Sequence, residues 1–272
     1  MINLLWIIPS ALALLFVLYV LCLRGRSGHP DWANLRSHVY AHRGLHGNGV
    51  PENSMAAFRA ALQHGYGIEL DLHLLKDGEL AVIHDHSLLR TTGVEGNVED
   101  LTADQLHDYR LEGTDEHIPT FREVLTLFDG KAPLIIELKA ARNYRALVNT
   151  VCEQLKDYKG AYCIESFDPR CLWFLRKLHP HVIRGQLAQN FLKRPEKGVP
   201  WLANFLLTHQ LLNFLTLPDF AAFRFEDRRT LTDFLVRKFW GVQGVSWTLR
   251  NGEDHKTALE ENRIPIFEYY EP

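Results

Sequence analysis

This 272-residue sequence has little cysteine, little net charge and, near its start, hardly any charge of either sign. Its four cysteines, Cys22, Cys152, Cys163 and Cys171, are too few and too apolar in their settings for a disulfide framework or a zinc site with paired-ligand spacing, and they read as reduced packing residues. Thirty Lys and Arg against 33 Asp and Glu give a formal charge of -3, which argues against a nucleic-acid partner, since phosphate-neutralising surfaces tilt basic. With 46% hydrophobic and 23% charged residues the chain is neither disordered nor of low complexity, and no internal repeat stands out.

From Ile2 to Leu23 no side chain is charged. About 22 residues at ~1.5 Å each span ~33 Å, enough to cross a bilayer core, so residues 1–24 are expected to form a transmembrane anchor and 25–37 a linker. A cleaved signal peptide would show basic residues before the apolar run and small residues after it, and neither is present. Pro9 would kink such a span without preventing insertion. Arg24, Arg26 and Arg36 follow the run, which predicts a single-pass protein of the cell membrane with its body on the cytoplasmic side.

Over residues 38–272 short apolar runs alternate with helical patterns: HVYAHRG then SMAAFRAALQHG, GIELDLHLL, APLIIELKA then YRALVNTVCEQLKDY, and AYCIESF then PRCLWFLRKLH. Such runs suit parallel strands buried on both faces. Only Lys76-Asp77-Gly78-Glu79 separates LDLHLL from LAVIHD, which makes a hairpin rather than a crossover. With that hairpin set aside as an excursion after the second strand, eight parallel strands in about 235 residues predict an α/β fold of the (β/α)8 TIM barrel type, with a doubly wound sheet as the alternative. The segment 201–223, strongly apolar yet interrupted by Asn204, His209, Asn213 and Asp219, reads as core packing or as an interfacial helix near the mouth.

Polar residues gather where the strands end, which is where a barrel places its active site. Glu69 and Asp71, two apart on one strand, point the same way, as do Glu137 and Lys139. Alone, either pair reads as an exposed strand end or a surface ion pair. Together, Glu69, Asp71 and Glu137 are three oxygen donors suited to a hard divalent cation, Mg²⁺ or Ca²⁺. Arg43 and Lys139 add cationic donors for an anionic substrate, a phosphate ester or an acidic sugar. His42 and His84 approach from different strands and can divide general base and general acid between them, with Asp85 placed to orient its neighbour. Asn53 and Ser54 precede a helix and read as caps, with Glu52 favoured by the helix dipole. Ser166, Phe167 and Trp247 are equally readable as packing or as site residues.

Taken in order, AHRG (41–44), PENS (51–54), ELDL (69–72), KDGELAVIHD (76–85), IPTFREVL (118–125), IELK (136–139), ESF (165–167) and WTLR (247–250) resemble the glycerophosphodiester phosphodiesterase family, in its membrane-anchored bacterial form. The resemblance implies a (β/α)8 barrel that hydrolyses glycerophosphodiesters to sn-glycerol 3-phosphate and an alcohol. It implies Glu69, Asp71 and Glu137 as ligands of Mg²⁺ or Ca²⁺, with Glu52 a further candidate, and His42 and His84 as the acid/base pair. Arg43, Lys139, Asn53 and Trp247 become the expected substrate contacts. Lysophospholipase D-type hydrolysis of lipid phosphodiesters is the alternative enzyme reading, and a tethered phosphodiester-binding protein the non-enzymatic one. The ending IPIFEYYEP departs from the family's usual Thr-Asp pair, which leaves substrate choice open.

Overall fold

The computed structural model describes residues 4–139, 142–195 and 198–272. Among them nine strands form one sheet: β1 (Tyr40–His42), β2 (Gly67–Leu74), β3 (Leu80–Val82), β4 (Leu134–Leu138), β5 (Tyr162–Ser166), β6 (Arg184–Ala188), β7 (Phe220–Arg224), β8 (Gln243–Leu249) and β9 (Arg263–Phe267). All but β3 run parallel, and because β1 pairs with both β2 and β9 the sheet closes into a barrel. The expected eight-stranded barrel is therefore observed, and the open doubly wound sheet is excluded. The short Lys76–Glu79 connection lets β3 fold back antiparallel on the end of β2, as the hairpin sequence predicts.

Helices cover the outside, and local chemistry starts them where the loops end. Ser54 accepts from the Ala57 amide to open the helix Met55–Gln63, and Gly65, at φ +74, follows its end. Thr120 and Glu123 form a reciprocal capping box at the helix Phe121–Phe128. The lower barrel interior is filled by Tyr40, Ile135, Ile183, Phe220, Val245 and Ile264. Gly185 is required there because a Cβ would lie 2.1 Å from the Phe220 ring.

The residues expected as a linker close the floor of the barrel instead. A short helix, Trp32–Arg36, buries Trp32 and Leu35, with Trp32 edge-on to Phe220 at a centroid distance of 5.6 Å. Arg26 pairs with the fully buried Asp219 at 2.5 Å and donates to the carbonyls of Pro180 and Val182.

The expectation of a membrane-spanning segment in residues 1–24 is corrected. Among the described residues no helix is long and apolar enough to cross a membrane. The N-terminal helix Leu4–Cys22 has 19 residues, and its last turn is committed to the barrel. Tyr19 Oη lies 2.7 Å from Thr232 Oγ1, Trp240 Nε1 donates to the Val20 carbonyl at 2.9 Å, and Leu23 is fully buried. The described part of the helix before that last turn, residues 4–18, is about 22 Å long at ~1.5 Å per residue, and residues 1–3 lie outside the described residues. Its large side chains from Trp6 to Leu18 are exposed.

Segment 201–223 becomes the helix Trp201–Thr208, the short turn of helix Asn213–Thr216 and most of β7. Its polar residues turn inward: Asn204, Gln210, Asn213 and Thr216 are buried, while Trp201, Leu202 and Phe214 are exposed. Of the interruptions in the apolar run, Asn204, Asn213 and Asp219 are thus buried, while His209 is half-buried.

Candidate active site

Parallel register brings the acidic residues together. Asp71 on β2 stands beside Glu137 on β4, and Glu137 stands beside Glu165 on β5. With the period-2 alternation of a strand, Glu69 joins Asp71 on the inward face. Glu69, Asp71 and Glu137 are buried, with one oxygen of each lying within 4.8 Å of the others. Burial, together with the charges of Asp71 and Glu137, pushes the Glu69 carboxyl well above the usual carboxylate range. Burial opposes ionisation of Asp71 too, but the charges of Lys139, His84 and Arg43 hold it well below its ordinary value.

Every basic residue near this cluster has a carboxylate partner. Lys139 Nζ lies 2.7 Å from Asp71 and 2.8 Å from Glu137. Arg43 reaches Glu52 at 2.9 Å and Asp71 at 3.4 Å. Arg90 joins Glu52 at 2.6 Å to Asp85, and Asn53 donates to Asp71 Oδ2 at 2.8 Å. Glu52 is therefore held by two arginines, and Asn53 is turned onto the acidic cluster rather than toward the open cleft. Gly44, at φ +82, lets the chain reverse after Arg43, and a Cβ there would strike Ala57 and Phe58 at 2.8 and 2.9 Å.

His42 and His84 line the same cleft of about 480 Å³, together with Glu69 and Glu137. Each imidazole is fixed through Nδ1 by a carboxylate: His84 by Asp85 at 2.6 Å, His42 by Glu268 at 3.1 Å. Each carboxylate is in turn gripped by an arginine, Asp85 by Arg90 and Glu268 by Arg250. His42 Nε2 faces Glu69 Oε2 at 3.8 Å. Burial pushes the His42 imidazole down to about 4, against the hydrogen bond with Glu268, which raises it. Trp247 and Phe167, edge-on at 5.7 Å, wall the cleft's other side with Arg224, Arg250 and Tyr269. The Trp247 indole donates to the Ala222 carbonyl, which fixes the ring.

Three side chains of this site lie outside the sequence expectations. Glu165 lines the cleft and is buried, and that burial, with the charges of Glu137 and Asp71, pushes its carboxyl well above the usual range. Glu268 and Arg90 are the others. Glu165 and Glu268 obey the strand-end rule used for the rest, since Glu268 directly follows the apolar run IPIF. Arg90, on a helix after the hairpin, carries no such signal. Ser166, by contrast, turns away from the cleft and donates to the Leu138 carbonyl.

The fit to a divalent cation follows from the donors. Three buried carboxylates gathered within 4.8 Å repel one another, Lys139 offsets only part of that charge, and all-oxygen donors suit a hard divalent cation.

The model of a family described as the Glycerophosphoryl diester phosphodiesterase family matches residues 42–267. The chain is 36% identical over 170 residues to a glycerophosphodiester phosphodiesterase of Bacillus altitudinis, covering 58% of this chain and 69% of that protein. It is 38% identical over 138 residues to lysophospholipase D GDPD1 of Rattus norvegicus, covering 46% of this chain and 42% of that one. In three dimensions it is similar to an Oleispira antarctica phosphodiesterase solved in complex with its product sn-glycerol-3-phosphate, with a TM-score of 0.71, 21% identity, and coverage of 87% and 94% of the two chains.

Proposed function

The chain belongs to the glycerophosphoryl diester phosphodiesterase family, and from that premise we propose how its own residues carry the reaction. The activity is glycerophosphodiester phosphodiesterase: a phosphodiester is cleaved to sn-glycerol 3-phosphate and an alcohol. The observation that carries our reading of the site is that two imidazoles line one cleft with buried carboxylates, each held at Nδ1 so that Nε2 is free to exchange protons.

Glu69, Asp71 and Glu137 would hold the divalent cation, Mg²⁺ or Ca²⁺. Bound there, it neutralises their charge and polarises the phosphoryl oxygens. One histidine takes the proton of a glycerol hydroxyl as its oxygen bonds to phosphorus, and the other gives a proton to the departing alcohol oxygen as its bond to phosphorus breaks. Water then opens the cyclic phosphate with the two roles reversed: its oxygen bonds to phosphorus, its proton goes to the second histidine, and the first returns a proton to the glycerol oxygen. Arg43 and Lys139 supply positive charge toward the phosphate. Their carboxylate partners limit how far they can move, so we assign them orientation of the acidic cluster as well. Trp247 and Phe167 bound the space for the alcohol portion.

Exposed Trp201, Leu202 and Phe214, with the apolar helix Leu4–Cys22, favour a second reading: lysolipid phosphodiesters are also substrates, taken at the cytoplasmic surface of the cell membrane by a chain that rests on it. The acid/base assignment is tested with His42→Ala and His84→Ala. Each is expected to lose ~10² to 10⁴ in turnover while still binding Ca²⁺ in equilibrium dialysis. Wild-type turnover in either variant would remove that residue from the mechanism.

A further inference from the structure

The reversal of the chain at Gly44 returns His46 toward the end of β9, where it meets a carboxylate already in use. His46 Nε2 lies 3.3 Å from Glu268 Oε1, and His42 Nδ1 lies 3.1 Å from the same oxygen. One donor atom from each of His42, His46 and Glu268 lies within 4.8 Å of the other two. The His46 side chain is 6% exposed, and its Nε2 makes no hydrogen bond. The Tyr269 ring stands edge-on against it at 5.1 Å. Two buried imidazoles thus crowd one carboxylate oxygen, and the His46 nitrogen, 3.3 Å away, forms no well-aligned hydrogen bond to it, an arrangement that a shared cation would complete.

We propose that His42, His46 and Glu268 form a second metal site, distinct from the acidic cluster, that takes a borderline transition-metal ion of the Zn²⁺ type and switches the enzyme off. Two imidazoles and one carboxylate suit zinc, where three carboxylates suit Mg²⁺ or Ca²⁺. The separations of 3.1 and 3.3 Å approach the edge of about 3.4 Å expected for a tetrahedron with zinc bonds of ~2.0–2.2 Å. The open cleft leaves water for the fourth position. Arg250, 2.7 Å from the other oxygen of Glu268, works against the ion and keeps the site weaker than a structural one.

Inhibition follows from proton counting. Coordinated through Nδ1, the neutral His42 ring carries its one proton on Nε2, so it has no lone pair there to accept another and gives up that proton only as an imidazolate. Both halves of its proposed role end. This consequence rests on the reading of His42 as an acid/base group; the site itself does not.

The test uses the full chain in saturating Mg²⁺, with Zn²⁺ as inhibitor of glycerophosphocholine turnover and Co²⁺ as a visible probe of binding. His46→Gln is expected to turn over like wild type. Its Zn²⁺ inhibition midpoint should rise about tenfold or more, and the four-coordinate Co²⁺ absorption seen with wild type should disappear. Two results overturn the proposal: a folded wild type with no such Co²⁺ band, or zinc inhibition that excess Mg²⁺ reverses and His46→Gln leaves unchanged. Because the Co²⁺ band needs no turnover, it separates failure of this site from failure of the phosphodiesterase reading.

Discussion

Glu268 Oε1 sits 3.1 Å from Nδ1 of His42, and this one contact explains how a strand far along the chain governs the first. Burial works against ionisation of Glu268, but the hydrogen bond with His42 and the nearby His46 ring hold its carboxyl below the usual range, so it is a fixed negative partner. Loss of that charge should leave the His42 ring free to turn or to carry its proton on the wrong nitrogen. Glu268→Gln is expected to lower kcat by about tenfold to 10³-fold with KM little changed, and Glu268→Asp to recover part of it. Equal changes in kcat and KM would indicate a general structural role instead.

Gly185 is a packing prediction. With the Phe220 ring 2.1 Å from the position of a Cβ, Gly185→Ala must displace a fully buried ring on the barrel floor. Overpacking of this kind costs about 1–3 kcal/mol. A chemical-denaturation midpoint that does not fall would contradict the described packing of β6 on β7.

The floor-closing segment makes a third prediction. Deletion of residues 1–18 removes exposed apolar surface and is expected to leave the unfolding midpoint unchanged. Deletion of 1–27 also removes Leu23 and Arg26, stranding the buried Asp219, and is expected to cost about 3 kcal/mol or more. Comparable stability in the two truncations would show that residues 19–27 contribute nothing to the barrel.

A fourth prediction concerns acid. Burial opposes ionisation of Glu261, but Arg228 and Arg263 hold it below its ordinary value of 4.5, with contacts of 2.7 and 3.0 Å. A carboxylate whose value is lowered on folding contributes stability that is present above its unfolded value and lost as pH falls through the folded one. Stability should therefore decline below about pH 4.5, and less steeply in Glu261→Gln than in wild type. Parallel pH profiles in urea denaturation would remove Glu261 as a contributor.

The barrel was legible because each of its strands is a short apolar run closed by a polar residue, and that pattern names Glu69, Asp71, Glu137 and His42 directly. Asp85 was legible as the partner of His84 because the two are adjacent. Glu268 was not, since its partner His42 lies 226 residues away and only closure of the barrel brings them together; Arg90, five residues from Asp85, sits on a helix with no strand-end signal and reaches Glu52 38 residues away. At the N-terminus hydropathy did not reveal that the last turn of the apolar run packs on the barrel: it records transfer free energy, not the hydrogen bonds of Tyr19 with Thr232 and of Val20 with Trp240. In segment 201–223 the same measure missed that Asn204 and Asn213 face inward, because polar residues that satisfy loop and helix-end groups can be the buried ones.

The reaction proposed at the mouth of this barrel needs a divalent cation together with His42 and His84. It is tested most directly by the initial rate of sn-glycerol 3-phosphate release from glycerophosphocholine by the intact chain, with Mg²⁺ or Ca²⁺, after EDTA, and after the cation is restored. Release that EDTA abolishes and added cation returns is the expected result. Release that persists undiminished in EDTA, or none from any glycerophosphodiester with either cation present, would contradict it.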